Sequence, residues 1–119
     1  MRDEGLYFED IVEAADHIAG FLSGVTKEQF EDSELIRSGV LQKLTVIGEA
    51  AAHISTETRC RHPEVEWTAI VGFRNIAVHA YFAVDWDRVW DAATLDAPVL
   101  REQAARILAD EFPQEDTDN

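Results

Sequence analysis

A long apolar stripe with helical spacing runs through the middle of this 119-residue sequence. Its members recur three or four positions apart and therefore share one face of an α-helix. They are Ile36, Val40, Leu44, Ile47, Ala51 and Ile54. The stripe predicts a helix over residues 34–55 that forms the centre of a helical bundle. Gly48 inside it costs about 1 kcal/mol relative to Ala, which predicts that a neighbouring backbone comes close there.

Shorter apolar stripes predict further helices on both sides of this one. A first helix is expected over residues 6–22, a third from about residue 67 to Tyr81, and a fourth from Asp85 as its cap. Pro98 suits the first turn of a last helix, opened by residues 96–98. Thr26 resembles a capping box with Gln29 and predicts a short helical turn.

Two stretches carry no helical pattern. Residues 56–66 lack periodicity and contain His62-Pro63, which predicts a loop. Residues 113–119 are polar and acidic, which predicts a disordered tail. Strand-like alternation is missing from the sequence, so we expect one all-α domain over residues 1–112, an antiparallel bundle of four or five helices. The three tryptophans are expected to pack this bundle.

Charge is distributed unevenly along the chain. The net charge is -14, with -8 over residues 1–36 and -6 over residues 89–119, whereas residues 37–88 carry six acidic and six basic side chains. A strongly acidic protein is a poor partner for nucleic acid in general. The neutral middle segment weakens that objection. A single cysteine excludes an internal disulfide, and apolar runs are too short for a membrane span, so we expect a cytoplasmic protein.

The neutral segment contains the densest cluster of reactive groups, over residues 74–81. Arg74, Asn75, His79 and Tyr81 combine a guanidinium, an amide, an imidazole and a phenol among small apolar residues. These groups suit phosphate binding, hydrogen bonding and proton transfer near neutral pH. The alternative interpretation is a surface arginine, a histidine at the edge of the core and a tyrosine at a helix end.

Helical geometry indicates how the cluster could form one site. Arg74 and His79 are roughly 140° apart on one straight helix and therefore diverge. Val71 and Val78 lie on the arc that carries Arg74, where a monomer would expose them to water. We therefore expect a homodimer that packs on these valines and brings two copies of Arg74 and His79 into one cleft.

Glu49 lies one helical turn before His53 on the predicted central helix. This spacing predicts a solvated ion pair between the two side chains, and a supporting role at the site is the alternative. Cys60 and His62 are too few for a zinc site, so we expect no metal site.

The run Arg74-Asn75-Ile76-Ala77-Val78-His79-Ala80-Tyr81 resembles the R-x4-H-x-Y signature of the HepT-like toxins, minimal ribonucleases of the HEPN superfamily. The similarity extends through residues 46–51, 61–67, 70–73 and 81–85 and covers nearly all of residues 6–110. It implies an all-α homodimer whose paired motifs line a cleft between the subunits. It also implies catalytic roles for Arg74 and His79 and a supporting role for Asn75.

The resemblance further implies the toxin of a type VII toxin-antitoxin system. Such a toxin cleaves RNA without a metal, through attack of the 2′-hydroxyl on phosphorus, and duplex DNA is therefore not expected to be a substrate. Its antitoxin is a nucleotidyltransferase encoded nearby that transfers AMP to the motif tyrosine, here Tyr81. The alternative is a non-catalytic HEPN module that binds a nucleotide or serves as the partner of a nucleotidyltransferase, which the net acidity favours.

Overall fold

The structure is a computed structural model that describes residues 3–78 and 84–113, with side chains through residue 76 in the first range. His79, Tyr81 and the predicted tail from residue 114 onward lie outside the described residues. The helices are α1 (Glu4–Leu22), α2 (Lys27–Asp32), α3 (Glu34–Ala52), α4 (Thr56–Arg61), α5 (Trp67–Val78), α6 (Trp86–Asp91) and α7 (Ala97–Glu111), with a π-helical segment at Ala92–Asp96. The described ranges contain no strand, which confirms the predicted all-α class.

Helix α3 is the centre of the bundle, as its apolar stripe predicts. It packs against α1 on one flank and α5 on the other, and α7 packs against the far side of α1. The α1–α3 pair is antiparallel, because Tyr7 stacks on His53 at one end and Phe21 reaches Gly39 at the other. No helix in the described part of the chain is long and apolar enough to cross a membrane.

The core is formed by the predicted stripes together with aromatic side chains. Phe8, Phe30 and Phe73 are the largest fully buried side chains. Trp67 packs edge-on against Phe8, and the rings of Trp86 and Trp90 both contact Phe30. The prediction that the tryptophans pack the bundle is therefore confirmed.

The predicted loop over residues 56–66 is wrong for its first half, which forms helix α4. Ser55 caps this helix, because its hydroxyl accepts a hydrogen bond from the Thr58 backbone N–H at 3.1 Å. The Arg59 guanidinium donates to the carbonyls of Ala51 and Ile54, which closes the end of α3 at Ala52 rather than at the predicted residue 55. Helix α4 is therefore stabilised by capping hydrogen bonds, which apolar periodicity does not reveal.

Glu4 joins the start of α1 to α4. Its carboxylate accepts hydrogen bonds from the Thr58 hydroxyl and the Ser55 backbone N–H, both at 2.6 Å. Desolvation raises the pKa of Glu4, but these hydrogen bonds and the charge of Arg61 outweigh it, so the pKa is lowered overall. The contacts therefore stabilise the fold above the ordinary carboxyl range and lose their effect as pH falls through the lowered pKa.

The C-terminal helices are continuous rather than separate. Asp85 caps α6 as predicted, with its carboxylate accepting from the Arg88 N–H. The predicted start of the last helix at residues 96–98 is confirmed, since α7 begins at Ala97 with Pro98 in its first turn. Asp96 nevertheless has helical backbone angles and no capping hydrogen bond, so α7 continues directly from the π-helical segment. The Ala97 N–H instead donates to the Ala92 carbonyl five residues back, and the wider π turn accommodates Pro98, which has no N–H to donate.

Gly48 is the point at which α3 and α5 touch. A β-carbon at this position would lie 2.6 Å from the Arg74 backbone nitrogen and 3.2 Å from the Ile70 carbonyl oxygen. Real β-carbons do not approach backbone atoms to 2.6 Å, so any larger residue would force the helices apart. The predicted reason for a glycine at this position is therefore confirmed.

We predict that Gly48→Ala destabilises the protein by about 1–3 kcal/mol, because the added methyl group overpacks the helix contact. Gly20→Ala is the matched control. Position 20 is exposed on α1 with nothing within 4 Å of an added β-carbon, so alanine there should stabilise by about 0.5–1 kcal/mol. Urea unfolding followed by circular dichroism measures both changes, and equal behaviour of the two variants would contradict the close approach.

Candidate functional site

Helix α5 presents the described part of the reactive cluster beside α3. Ile70 and Phe73 are buried and hold the helix against the core. The next two residues turn outward: the Arg74 side chain is half-exposed and Asn75 is exposed. The structure therefore places Arg74 and Asn75 away from the core.

The Arg74 guanidinium lies next to a carboxylate of the central helix. Its Nη1 is 3.8 Å from Glu49 Oε1, and the two side chains are 41% and 55% exposed. This position follows from the neighbouring Gly48, because the close helix contact places residue 74 directly beside residue 49. A long ion pair at this exposure contributes only about 0–1 kcal/mol, so an anionic ligand can replace Glu49 at small cost.

The predicted ion pair between Glu49 and His53 is replaced by a different arrangement. The His53 Nδ1–H donates to the Glu49 backbone carbonyl at 2.8 Å, and the imidazole stacks on Tyr7 with ring centroids 4.9 Å apart. The Glu49 side chain approaches Arg74 instead. Spacing along one helix could not reveal the contact of His53 with Tyr7 or that of Glu49 with Arg74, because Tyr7 and Arg74 belong to other helices.

A groove runs along the exposed side of α3 and is bounded by α1. We call it the α1–α3 groove; its volume is about 570 Å³. It is lined by Tyr7, Asp10, Ser38, Leu41, Gln42, Thr45, Val46, Glu49, Ala50 and His53. Because Glu49 also pairs with Arg74, the groove adjoins the candidate site. Sequence reasoning missed it, since Tyr7 and His53 carry no shared sequence signal.

Of the two valines expected at a dimer interface, Val71 and Val78, the structure describes the side chain of Val71 only. Val71 is half-buried and packs against the core of its own chain, so it is less exposed than the helical wheel suggests. The side chain of Val78 lies outside the described residues. The apolar character of Val71 therefore does not by itself require a second subunit.

The remaining chemistry of the cluster belongs to residues beyond α5. His79 and Tyr81 lie outside the described residues, so the structure supplies no distance from Arg74 to either. Within the part of the chain that is described, no group of three or more His, Cys, Asp or Glu side chains could hold a metal ion. Among the described groups, the Arg74 guanidinium can bind an anion and the Asn75 amide can hydrogen-bond a ligand, whereas the Glu49 carboxylate is itself an anion that pairs with Arg74.

Comparison with known proteins gives consistent matches. Residues 11–107 match the family model described as Ribonuclease HepT-like. A Thermococcus cleftensis protein named "Probable ribonuclease HepT" is 34% identical over 101 residues, which cover 85% of this chain and 92% of that protein. A Methanocaldococcus jannaschii protein named "Putative RNase MJ1380" is 32% identical over 102 residues, which cover 86% and 94%. No solved structure matches.

We predict that Glu49→Gln strengthens RNA binding several-fold while changing the unfolding free energy by less than about 1 kcal/mol. The Glu49 carboxylate lies 3.8 Å from the Arg74 guanidinium and would compete with a phosphate for it, so its removal would end that competition. Glu57→Gln is the control, because it removes the same charge from an 87% exposed side chain on α4 that pairs with Arg61. Fluorescence anisotropy with a labelled oligonucleotide measures affinity. Weaker binding by Glu49→Gln alone would instead assign Glu49 a direct role in substrate binding.

Proposed function

Because this chain belongs to the HepT-like ribonuclease family, we propose that it is the toxin of a type VII toxin-antitoxin system, a cytoplasmic endoribonuclease that cleaves RNA without a metal. The observation that carries the proposal is Arg74, the first residue of the family signature. It is half-exposed beside α3, and its ion pair with Glu49 is long and weak. A guanidinium held in this way can bind a phosphate diester and stabilise the charge that develops on it.

The proposed reaction needs only groups of the chain and the 2′-hydroxyl of RNA. The 2′-oxygen attacks phosphorus and loses its proton, the bond from phosphorus to the 5′-oxygen breaks, and the departing oxygen gains a proton. The products are a 2′,3′-cyclic phosphate and a 5′-hydroxyl. His79 would transfer protons, which contributes roughly 10²- to 10⁴-fold in rate. Asn75 would orient His79 or the phosphate, and duplex DNA, which lacks the 2′-hydroxyl, would not be cleaved.

The proposed active form is a homodimer. Arg74 and His79 diverge by roughly 140° if α5 continues as one straight helix, so one chain alone makes a poor pocket. Pairing two chains through the face of α5 that carries Val71 and Val78 would place Arg74 of each near His79 of the other. The cleft between them would then hold the scissile phosphate.

We predict that the purified protein cleaves single-stranded RNA in the presence of EDTA, and that Arg74→Ala and His79→Ala each reduce the rate at least about 10²-fold. Arg106→Ala, at an exposed position on α7, is the matched control and should retain full activity. Analysis of RNA ends tests for the cyclic phosphate, and circular dichroism confirms folding. Undiminished cleavage by His79→Ala would contradict the mechanism.

A non-catalytic HEPN module that binds a nucleotide or a nucleotidyltransferase is the second candidate. The net charge of -14 favours it, because affinity for RNA derives largely from basic side chains. Binding of RNA or nucleotide by the wild type without any cleavage would establish this alternative.

We predict that the protein is a dimer at micromolar concentration and that replacing both Val71 and Val78 with Asp yields monomers that have lost activity. Burying two carboxylates in an apolar interface is strongly unfavourable. Light scattering measures the mass of each variant. A wild type that is fully active as a monomer would contradict the shared cleft.

The antitoxin is proposed to act through Tyr81, as a nucleotidyltransferase encoded nearby that transfers AMP to the phenol. The added group would bring bulk and negative charge to the cleft and compete with RNA for Arg74. We predict that co-expression raises the mass of this chain by whole AMP units on the Tyr81 peptide. Tyr81→Phe should stay folded, escape modification and remain toxic beside the partner. An unmodified Tyr81 peptide from a neutralised complex would show that control is by physical covering.

A further inference from the structure

The α1–α3 groove is a largely apolar surface with a few hydrogen-bonding groups. Its walls are largely apolar, formed by Leu41, Val46 and Ala50, while Ser38 and Gln42 supply hydrogen-bonding groups at its edge. A volume of about 570 Å³ falls within the range of small-ligand pockets. Apolar faces with polar edges are also the character of a nucleobase, which stacks through its faces and hydrogen-bonds through its rim.

The end of the groove nearest Arg74 carries an ordered aromatic pair. Tyr7 and His53 stack with an interplanar angle of 14°, and the hydrogen bond from His53 to the Glu49 carbonyl fixes the imidazole. Aromatic side chains of this kind are the usual platforms for unpaired bases, because every base has a π-face. The stacked pair therefore suits a planar aromatic ligand, whereas neither water nor a phosphate can stack on it.

The charge of the lining residues disfavours the phosphate part of a nucleotide in the same groove. Among the residues that line it, Asp10 and Glu49 are acidic and none is lysine or arginine. Such a lining supplies no cation to bind a phosphate, whereas a neutral base needs none. A protein partner is also a poorer fit, because the centres of protein interfaces are depleted of charged residues.

The groove and the candidate phosphate site meet at one residue. Glu49 lines the groove and lies 3.8 Å from the Arg74 guanidinium, so a phosphate at Arg74 would have its attached nucleoside at the mouth of the groove. We propose that the α1–α3 groove binds the base of the nucleotide next to the scissile phosphate. This inference rests on the proposed ribonuclease function and adds to it a requirement on the substrate: that nucleotide must be unpaired.

The test compares one intact oligonucleotide with the same strand carrying an abasic ribose next to a single cleavable linkage, all other riboses being 2′-O-methylated. Wild type should lose about tenfold or more in kcat/KM on the abasic strand, the usual worth of one base stacked on an aromatic side chain.

Two variants alter the groove itself. Gln42→Trp fills the groove from an exposed position, and His53→Ala removes one ring of the stacked pair. Both should cleave the intact and abasic strands at similar rates.

Val99→Trp is the matched control, because it places the same indole at a 58% exposed position on α7 that does not line the α1–α3 groove. It should keep the wild-type preference for the intact strand. Circular dichroism verifies folding of each variant, and His53→Ala keeps the test decisive if the larger Gln42→Trp does not fold.

Binding of a strand with a 2′-deoxy residue at the cleavable linkage separates this inference from the proposed function. If wild type cleaves but Gln42→Trp and His53→Ala keep the full preference for the intact strand, the base site is overturned and the ribonuclease stands. If wild type never cleaves yet binds the intact strand about tenfold more tightly than the abasic one, and the groove variants lose this difference, the base site stands alone. If the groove variants become monomers by light scattering, the groove is a subunit interface and the inference is overturned.

Discussion

The close contact of α3 and α5 at Gly48 is the constraint on which the rest of the structure depends. Because a glycine lets the two backbones meet, the central helix can bury its stripe against α5 and still present Glu49 beside Arg74. A wider helix separation would move the guanidinium away from α3 and open the core beneath Phe73. The packing of the bundle and the geometry of the candidate site therefore share one cause.

The candidate site combines strong local order with weak electrostatic restraint. Arg74 is held in place by buried neighbours on its own helix, whereas its ion pair with Glu49 is long and exposed. A backbone held by buried neighbours limits the reorganisation needed to bind an anion, and a weak pair limits the cost of displacing the carboxylate. This combination suits a group that can exchange an internal partner for an anionic ligand.

The distribution of charge is consistent with such an exchange. The acidic flanks of the sequence, residues 1–36 and 89–119, supply α1 and α7, while α5 and all but the first three residues of α3 come from the neutral segment. Long-range attraction for RNA is therefore weak, and specific local contacts have to supply the affinity. In a ribonuclease, weak non-specific attachment to nucleic acid leaves recognition to the local shape and pairing state of the substrate.

Much of the fold follows from the sequence alone, because helical periodicity, caps and a glycine in a helix act between residues a few positions apart. The apolar stripe of α3, the Asp85 cap and the need for Gly48 are of this kind, as are the order and spacing of the cluster at residues 74–81. Tertiary structure alone decided that Glu49 turns to Arg74, that His53 stacks on Tyr7, and that a groove opens between α1 and α3. These pairings join residues 25 to 46 positions apart, and their partners are selected by how the helices cross, which a pattern within one helix does not contain.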